Sequence, residues 1–350
     1  MRAKTLKPTI KKLIELQRTF VIEGAPGGGK TSIIRQMADE LGYQYKELHG
    51  PTMLVEDFGI PWPEAGNDTF AYKVPEWYPA KGSKWDTDQP GVLCFDDRNQ
   101  MGADLQKVMA NIMQARNLHG VPIADNWTMC STGNRVKDRA GSNRILSHLR
   151  NRETVLPFET NLDDWTDWAI GAGIASEVIS FLRFKPALLH APDGESVGSG
   201  DTKANSKAGS GDFDGAFPSP RSWAEGISPL IGAIPPEAER ECFAGAVGEA
   251  AGSAFSGFLK IHRNLPNPDW VIMNPDKAEV PDEVAVKYAL CGALAERATE
   301  NNFANVCKYA ERLSGDFSVL LVSYAARRNT NLADTKAFND WMLKHKNVLF

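Results

Sequence analysis

The most informative segment of the sequence is Gly24-Ala-Pro-Gly-Gly-Gly-Lys-Thr31, which Ser32 follows. It fits the pattern GxxxxGK(S/T) and lies between a β-branched and aromatic run ending at Glu23 and a segment with helical spacing. Its glycines allow backbone N–H groups to turn inward around phosphate oxygens, and the first turn of the helix adds positive charge. The pattern therefore predicts a phosphate-binding loop made by Gly24, Ala25, Pro26, Gly27, Gly28, Gly29, Lys30, Thr31 and Ser32.

Four polar side chains in and after this loop are predicted to act on a bound nucleotide and its metal. Lys30 is predicted to reach the β- and γ-phosphates of ATP, and the hydroxyl of Thr31 to bind Mg²⁺. Residues 91–95 form a continuous apolar run, typical of a strand buried on both faces of a parallel sheet, and Asp96 and Asp97 follow it. Asp96 is the predicted second Mg²⁺ ligand, and Asp97 is the predicted base that polarises the attacking water. The alternative is that the two aspartates cap the next helix.

Strand-like and helix-like segments alternate over residues 1–160. The strand-like runs are residues 18–23, 91–95, 127–130 and 154–158. Apolar residues at helical spacing occur between them, which predicts βαβ units. We therefore expect an α/β fold of the P-loop NTPase type, with a parallel sheet covered by helices on both faces. Residues 161–350 favour an α-helical domain, and a Gly- and Ser-rich segment at 191–216 is predicted to be a flexible loop.

Two segments within residues 1–160 favour β-hairpins. Aromatic stretches flank a turn near residues 56–79, and a second hairpin is predicted near 117–126 around Gly120. The aromatic side chains of the first segment have two open interpretations: they grip a client polypeptide, or they pack the hairpin onto the core. These side chains are Trp62, Phe70, Tyr72, Trp77 and Tyr78.

Charge and cysteine usage limit the class of protein. Lys and Arg number 39 against 44 Asp and Glu, a net charge of −5, which argues against a protein whose main task is to bind nucleic acid. The five cysteines form no CxxC pair and the six histidines lack zinc-site spacing, so neither a disulfide framework nor a zinc site is predicted. No apolar run reaches about 18 residues and no signal peptide is recognisable, so we expect a soluble, cytoplasmic protein.

Four motifs occur in a fixed order along the chain. They are GAPGGGKTS at 24–32, CFDDRNQ at 94–100, CSTGNR at 130–135 and FPSPRSW at 217–223. Together they resemble the AAA+ ATPases of the MoxR type, and within that group the short forms common in phage and prophage genomes. The resemblance covers most of the chain and implies an ATP-binding core followed by a helical AAA+ lid and C-terminal helices. The predicted hairpins correspond to the family's two insertions, and the first of these, in helix 2, faces the central pore of a ring.

The resemblance implies roles for further side chains. Asn134 matches the sensor-1 residue, which orients water against the γ-phosphate, and Arg221 matches the sensor-2 arginine, which reaches the nucleotide from the lid. Arg152 fits best the arginine finger that enters the site of the neighbouring subunit, with Arg144 and Arg150 as alternatives. Cations at the γ-phosphate stabilise charge that spreads over its oxygens during transfer.

Two positions depart from the family's pattern. Asp97 stands where the family usually has Glu, and its side chain is shorter by one methylene. A displacement of about 1 Å in a catalytic group lowers rates substantially unless the backbone compensates. Glu153 follows Arg152 where the family usually has Phe, which loosens the alignment of the finger.

The resemblance also implies an assembly and a function. A site that takes an arginine from a neighbour requires an oligomer, and the family implies a ring of six. The implied activity is Mg²⁺-dependent ATP hydrolysis that drives chaperone-like remodelling of a protein partner in trans, commonly a protein with a von Willebrand A domain. Three alternatives are open: the ATPase subunit of a cobalto- or magnesium chelatase, a nucleic-acid-stimulated motor, and a nucleotide-binding ring component with weak hydrolysis.

Overall fold

A computed structural model of the chain contains two compact units, Met1–Thr160 and Asn161–Phe350. Among the helices that it describes, none combines the length and the apolar character needed to cross a membrane. Arg144 and nearly all of the segment 191–216 lie outside the described residues. The described residues are 1–64, 66, 69–135, 150, 152–191 and 215–345.

The first unit alternates helices and strands along the chain. Its described helices are Ala3–Glu15 (α1), Lys30–Glu40 (α2) and Ala103–Ala115 (α3). Its described strands are Phe20–Glu23 (β1), Gln44–His49 (β2), Ile60–Pro63 (β3), Phe70–Lys73 (β4), Gly91–Asp96 (β5), Asn117–Leu118 (β6), Val121–Pro122 (β7), Trp127–Gly133 (β8) and Thr154–Pro157 (β9). The four strand-like runs of the sequence correspond to β1, β5, β8 and β9.

Five of these strands form one parallel sheet in the order β2-β5-β8-β1-β9. Phe20 of β1 lies beside Cys130 of β8 on one side and Thr154 of β9 on the other. Because the strands are parallel, β1, β5 and β8 end at the same edge of the sheet, where ligands bind in open α/β folds. The predicted α/β fold of the P-loop NTPase type is confirmed.

Apolar side chains of β5 alternate between the two faces of the sheet. Val92 and Cys94 pack in the cluster that includes α1 and α2, whereas Leu93 and Phe95 pack in the cluster that includes α3. All four side chains are fully buried, which explains the continuous apolar run. The polar strand β2 was not identified from the sequence, because it lies at the edge of the sheet and is only half-buried.

Both hairpin segments contain an antiparallel strand pair. Strand β3 pairs with β4, and the short strands β6 and β7 pair with each other. His119, in the turn between β6 and β7, stacks on Tyr72 of β4 with 4.2 Å between the ring centroids. The two hairpins therefore touch each other through these rings.

The five aromatic side chains of the first hairpin segment divide into two groups. Trp62, Phe70 and Tyr72 are exposed, by 56%, 61% and 43%. Tyr78 is buried, and Trp77 is half-buried with its ring 5.4 Å from that of Phe58. The interpretation as a client-gripping residue is therefore wrong for Tyr78, whose ring is buried in the core, whereas the ring of Trp77 is only partly covered.

The regular elements of the second unit are all helices among its described residues, as the sequence predicts. Helix Val284–Glu296 is apolar almost all round and is buried between its neighbours Ser176–Phe184 and Gly315–Arg328. The α-helices of this unit are Leu162–Gly171 (α4), Ser176–Phe184 (α5), Glu239–Val247 (α6), Glu249–Arg263 (α7), Pro268–Met273 (α8), Val284–Glu296 (α9), Phe303–Ala310 (α10), Gly315–Arg328 (α11) and Lys336–Lys344 (α12).

The packing of β5 against β8 gives a first testable prediction. A Cβ atom added to Gly91 would lie 2.3 Å from the buried ring of Trp127, whose Nε1 donates to the carbonyl of Trp85. We expect Gly91→Ala to lower the free energy of unfolding by about 1–3 kcal/mol, because the rigid indole has to move. Chemical denaturation measures this, with Gly102→Ala, where no atom lies within 4 Å of the added Cβ, as the control. Equal losses in the two variants would contradict the prediction.

Candidate nucleotide-binding site

The predicted phosphate loop connects β1 to α2 at the carboxyl edge of the sheet. Gly27 and Gly29 have φ angles of 71° and 92°, the left-handed region that glycine adopts without strain. Gly24 has no room for a side chain, since a Cβ atom would lie 2.9 Å from the carbonyl oxygen of Phe158. Gly29 precedes the first turn of α2, so the positive end of that helix borders the loop.

Lys30 is buried at the start of α2, with 7% of its surface exposed. Its Nζ donates hydrogen bonds to the carbonyl oxygens of Gly24, at 3.2 Å, and Ala25, at 3.1 Å. It also donates to Oδ1 of Asn134 at 2.8 Å. Asn134 directly follows β8, so one cation links the phosphate loop to the end of a neighbouring strand.

The next side chain of α2 contacts the end of β5. The hydroxyl of Thr31 donates a short hydrogen bond to Oδ1 of Asp96. Thr132 of β8 donates to the same oxygen at 2.6 Å, and Nδ1 of His49 lies 3.4 Å from Oδ2. A hydroxyl and a carboxylate thus lie side by side, and oxygen atoms of this kind are the ligands that Mg²⁺ takes from proteins.

Asp97 lies at the same edge in an unusual backbone conformation. Its φ is 50°, in the left-handed region, and its N–H donates to Oγ1 of Thr132 at 3.1 Å. Nδ2 of Asn134 lies 3.4 Å from Oδ1 of Asp97. Asp97 occupies the N-cap position of the short 3-10 helix Arg98–Gln100, but its side chain makes no cap hydrogen bond there, and the N-cap of α3 is Gly102. The interpretation of the two aspartates as side-chain caps is therefore wrong.

Five predicted site residues therefore form one connected cluster. Asn134 bridges Lys30 on one side and Asp97 on the other, while Thr31 and Asp96 contact each other directly. His49 and Thr132 also contact Asp96 and were not predicted from the sequence. Thr132 belongs to the CSTGNR motif that also contains Asn134, so the sequence could have indicated it. Its contact with Asp96 was not predictable, because the sequence does not show that β8 pairs with β5.

Ser32, Arg150 and Arg152 have other surroundings within the first unit. Ser32 is exposed on α2, and Arg152 is exposed just before β9. Arg150 is half-exposed, with Nη2 3.5 Å from Oε1 of Glu23. Arg221 belongs to the second unit, where it is exposed and directly precedes a π-helix, Ser222–Ile227.

Comparisons with known proteins add little to this geometry. No protein-family profile matches the chain, and no curated protein is a significant match. Among solved structures, the chain is similar to NtrX from Brucella abortus in complex with ADP, with 13% identity, 99% of this chain and 67% of NtrX covered, and a TM-score of 0.37. A second structure of NtrX from Brucella abortus has 15% identity, 98% and 67% coverage, and a TM-score of 0.36. A similarity of this size shows neither a family nor an activity. The fold is recognised from the order of the strands in the sheet and from the phosphate loop.

Proposed function

We propose that this protein is a Mg²⁺-dependent ATPase that works as a ring oligomer and remodels a protein partner. The observation that supports the ATPase most strongly is the convergence of Lys30, Thr31, Asp96 and Asn134 at the carboxyl edge of the parallel sheet. These side chains come from three separate segments of the chain. Local packing alone does not require a buried lysine, a hydroxyl and a carboxylate at a helix N-terminus, whereas a bound triphosphate with its metal does.

Each side chain has a defined task in this proposal. Lys30 exchanges its carbonyl partners for phosphate oxygens, and the N–H groups of the loop and of the first turn of α2 hold the remaining oxygens. Thr31 and Asp96 would hold Mg²⁺, which when bound neutralises charge on the phosphates. Asp97 accepts a proton from the attacking water, and Asn134 orients that water through its amide.

The proposal also includes a ring oligomer and a protein partner. The exposed arginines Arg150 and Arg152 lie just before β9, where the MoxR-type ATPases that the sequence resembles have their arginine finger. Trp62 and Phe70 expose aromatic surface on the first hairpin, and Nζ of Lys73 lies 5.1 Å from the ring of Trp62. A large exposed aromatic surface favours contact with another protein chain. We infer that this hairpin holds the partner, for which a von Willebrand A domain protein is the first candidate.

The activity is tested by steady-state release of phosphate from ATP. The parent protein is expected to hydrolyse ATP with Mg²⁺ and to fall to the uncatalysed background in EDTA, since the metal carries part of the phosphate charge. Sedimentation velocity with and without the non-hydrolysable analogue AMP-PNP is expected to show nucleotide-stabilised oligomers. A chain that stays monomeric under all conditions would contradict the ring, and an inactive chain would contradict the ATPase.

The partner is tested separately through stimulation of the ATPase. We expect unfolded casein, a generic client polypeptide, to raise the hydrolysis rate, and Trp62→Ala to remove this increase without changing the basal rate. Leu16→Ala, which removes another exposed apolar side chain, is the control. Stimulation by duplex DNA and not by casein would instead support the nucleic-acid motor.

A further inference from the structure

A buried arginine lies directly beside the candidate site. Arg98 follows Asp97 in the sequence, and its side chain is fully buried. Its Nη2 lies 3.1 Å from Oε1 of Glu23, and its Nη1 donates to Oε1 of Glu153 and, at 3.4 Å, to Oγ of Ser131. One guanidinium group therefore joins the end of β5 to β1, to β8 and to the residue before β9.

A fourth charge continues this network to the surface. The half-exposed Arg150 shares Oε1 of Glu23 with Arg98, at 3.5 Å from its Nη2. The side chain of Glu153, at the other end, is almost fully buried, with 1% exposed. Along Arg150, Glu23, Arg98 and Glu153 the charges alternate in sign and balance, which is the condition under which ions are tolerated inside a protein.

The members of the network are sequence neighbours of the predicted site residues. Glu23 directly precedes Gly24, the first residue of the phosphate loop. Arg98 directly follows Asp97, and Glu153 directly follows Arg152, the predicted arginine finger. The ion pairs thus tie the segments that carry the phosphate loop and Asp97 to the segment that carries the predicted arginine finger.

Stability alone does not account for a buried network of this kind. Removing ions from water costs free energy that their pairing often only offsets, and apolar side chains of similar volume frequently pack as well. What the network provides is geometry, because the planar guanidinium group holds carboxylates in defined directions. Geometry matters at Asp97, whose left-handed φ of 50° persists in a non-glycine residue only where its surroundings enforce it.

The turn that carries Arg98 is also packed against the end of β8. Asn99 is fully buried, and a Cβ atom added to Gly133 would lie 2.0 Å from its Oδ1. Asn134 is the residue after Gly133, so the close approach of Asn99 to Gly133 places this turn directly beside the segment that carries Asn134.

We propose that Arg98 is the positioning residue of this site. Its ion pairs hold Asp97 in the left-handed conformation and couple it, through Glu23 and Glu153, to the segment that carries Arg150 and Arg152. The inference rests on the ATPase function proposed above. Arg98 acts through Asp97 on the rate of hydrolysis, not on the affinity for nucleotide. When Arg150 leaves Glu23, the charge around Arg98 changes, and the arginine segment thereby influences Asp97.

Glu153→Gln is the most direct test, since it keeps the shape of the side chain and removes one charge of the network. We expect kcat for ATP hydrolysis to fall by at least about 10-fold with KM within about 2-fold of the parent, because displacing a catalytic group lowers the rate without removing contacts to bound substrate. The matched control is Glu239→Gln, which removes a buried carboxylate held by Arg263 in the second unit. It is expected to lower the thermal midpoint and to leave kcat unchanged.

A second variant keeps the test decisive if Glu153→Gln does not fold. The triple replacement Arg98→Met, Glu23→Gln and Glu153→Gln removes all three charges together and leaves no buried ion unpaired, so it is expected to fold and to show the same loss in kcat. A folded variant with the kcat of the parent would overturn the inference and leave the ATPase proposal intact. A loss of kcat that Glu239→Gln reproduces would also overturn it. A parent without activity would overturn both proposals.

Discussion

Lys30→Ala is expected to lower ATP hydrolysis by at least about 100-fold, the effect of removing one preorganised charge from a site where negative charge develops. The cation is already desolvated and held by Gly24, Ala25 and Asn134, so the protein has spent free energy to place it. In the Lys30→Ala variant, the oxygen atoms of Gly24, Ala25 and Asn134 lose this donor in the empty site. When nucleotide is bound, the phosphates lose their counter-charge. Nucleotide affinity is expected to fall as well, which a fluorescence titration with MANT-ATP measures.

Lys107→Ala is the matched control for this variant. Lys107 is exposed and pairs with Asp104 on the surface of α3, an interaction that contributes little to stability. Its rate and affinity are expected to equal those of the parent. Thermal unfolding of both variants separates a local effect from loss of the fold. A folded Lys30→Ala protein that hydrolyses ATP within about twofold of the parent would rule out this site.

Asp97→Asn is expected to separate binding from hydrolysis. The amide cannot accept the proton of the attacking water, so kcat is expected to fall by about 10²–10⁴-fold, the usual contribution of a general base. The affinity for MANT-ATP is expected to stay within about twofold, because Asp97 contacts the water and not the phosphates in this account. Single-turnover hydrolysis and the same titration measure the two quantities.

The control for Asp97→Asn is a carboxylate outside the site. Asp104→Asn removes an exposed carboxylate of the same unit and is expected to change neither quantity. An unchanged single-turnover rate in Asp97→Asn would mean that Asp97 is not the base, and it would favour a ring component whose slow hydrolysis does not depend on this carboxylate.

Elements with a strong local signal were predictable from the sequence. Strand β5 was detectable because both of its faces are buried, so that its apolar run is continuous from Val92 to Phe95. The loop before α2 was detectable because its glycines and Lys30 form a spaced motif. Strand β2 was not predictable, because Gln44, Lys46 and the other polar residues of this edge strand form neither a continuous apolar run nor a spaced motif.

The contacts of the site depend on the sheet order, which spacing along the chain does not contain. Thr132 and His49 reach Asp96 only because β8 and β2 lie on either side of β5. Arg98 looked like an ordinary charged residue of the CFDDRNQ motif, although its charge is fully buried. The aromatic Tyr78 looked equivalent to Phe70 in the sequence, and only the packing distinguishes the buried ring from the exposed one.

A crystal structure with AMP-PNP and Mg²⁺ shows directly whether nucleotide binds at this loop. We expect phosphate density in the loop from Gly24 to Thr31, with Nζ of Lys30 within hydrogen-bond distance of the phosphates and the metal between Thr31 and Asp96. Nucleotide bound elsewhere while this loop keeps its present hydrogen bonds from Lys30 to Gly24 and Ala25 would contradict this expectation.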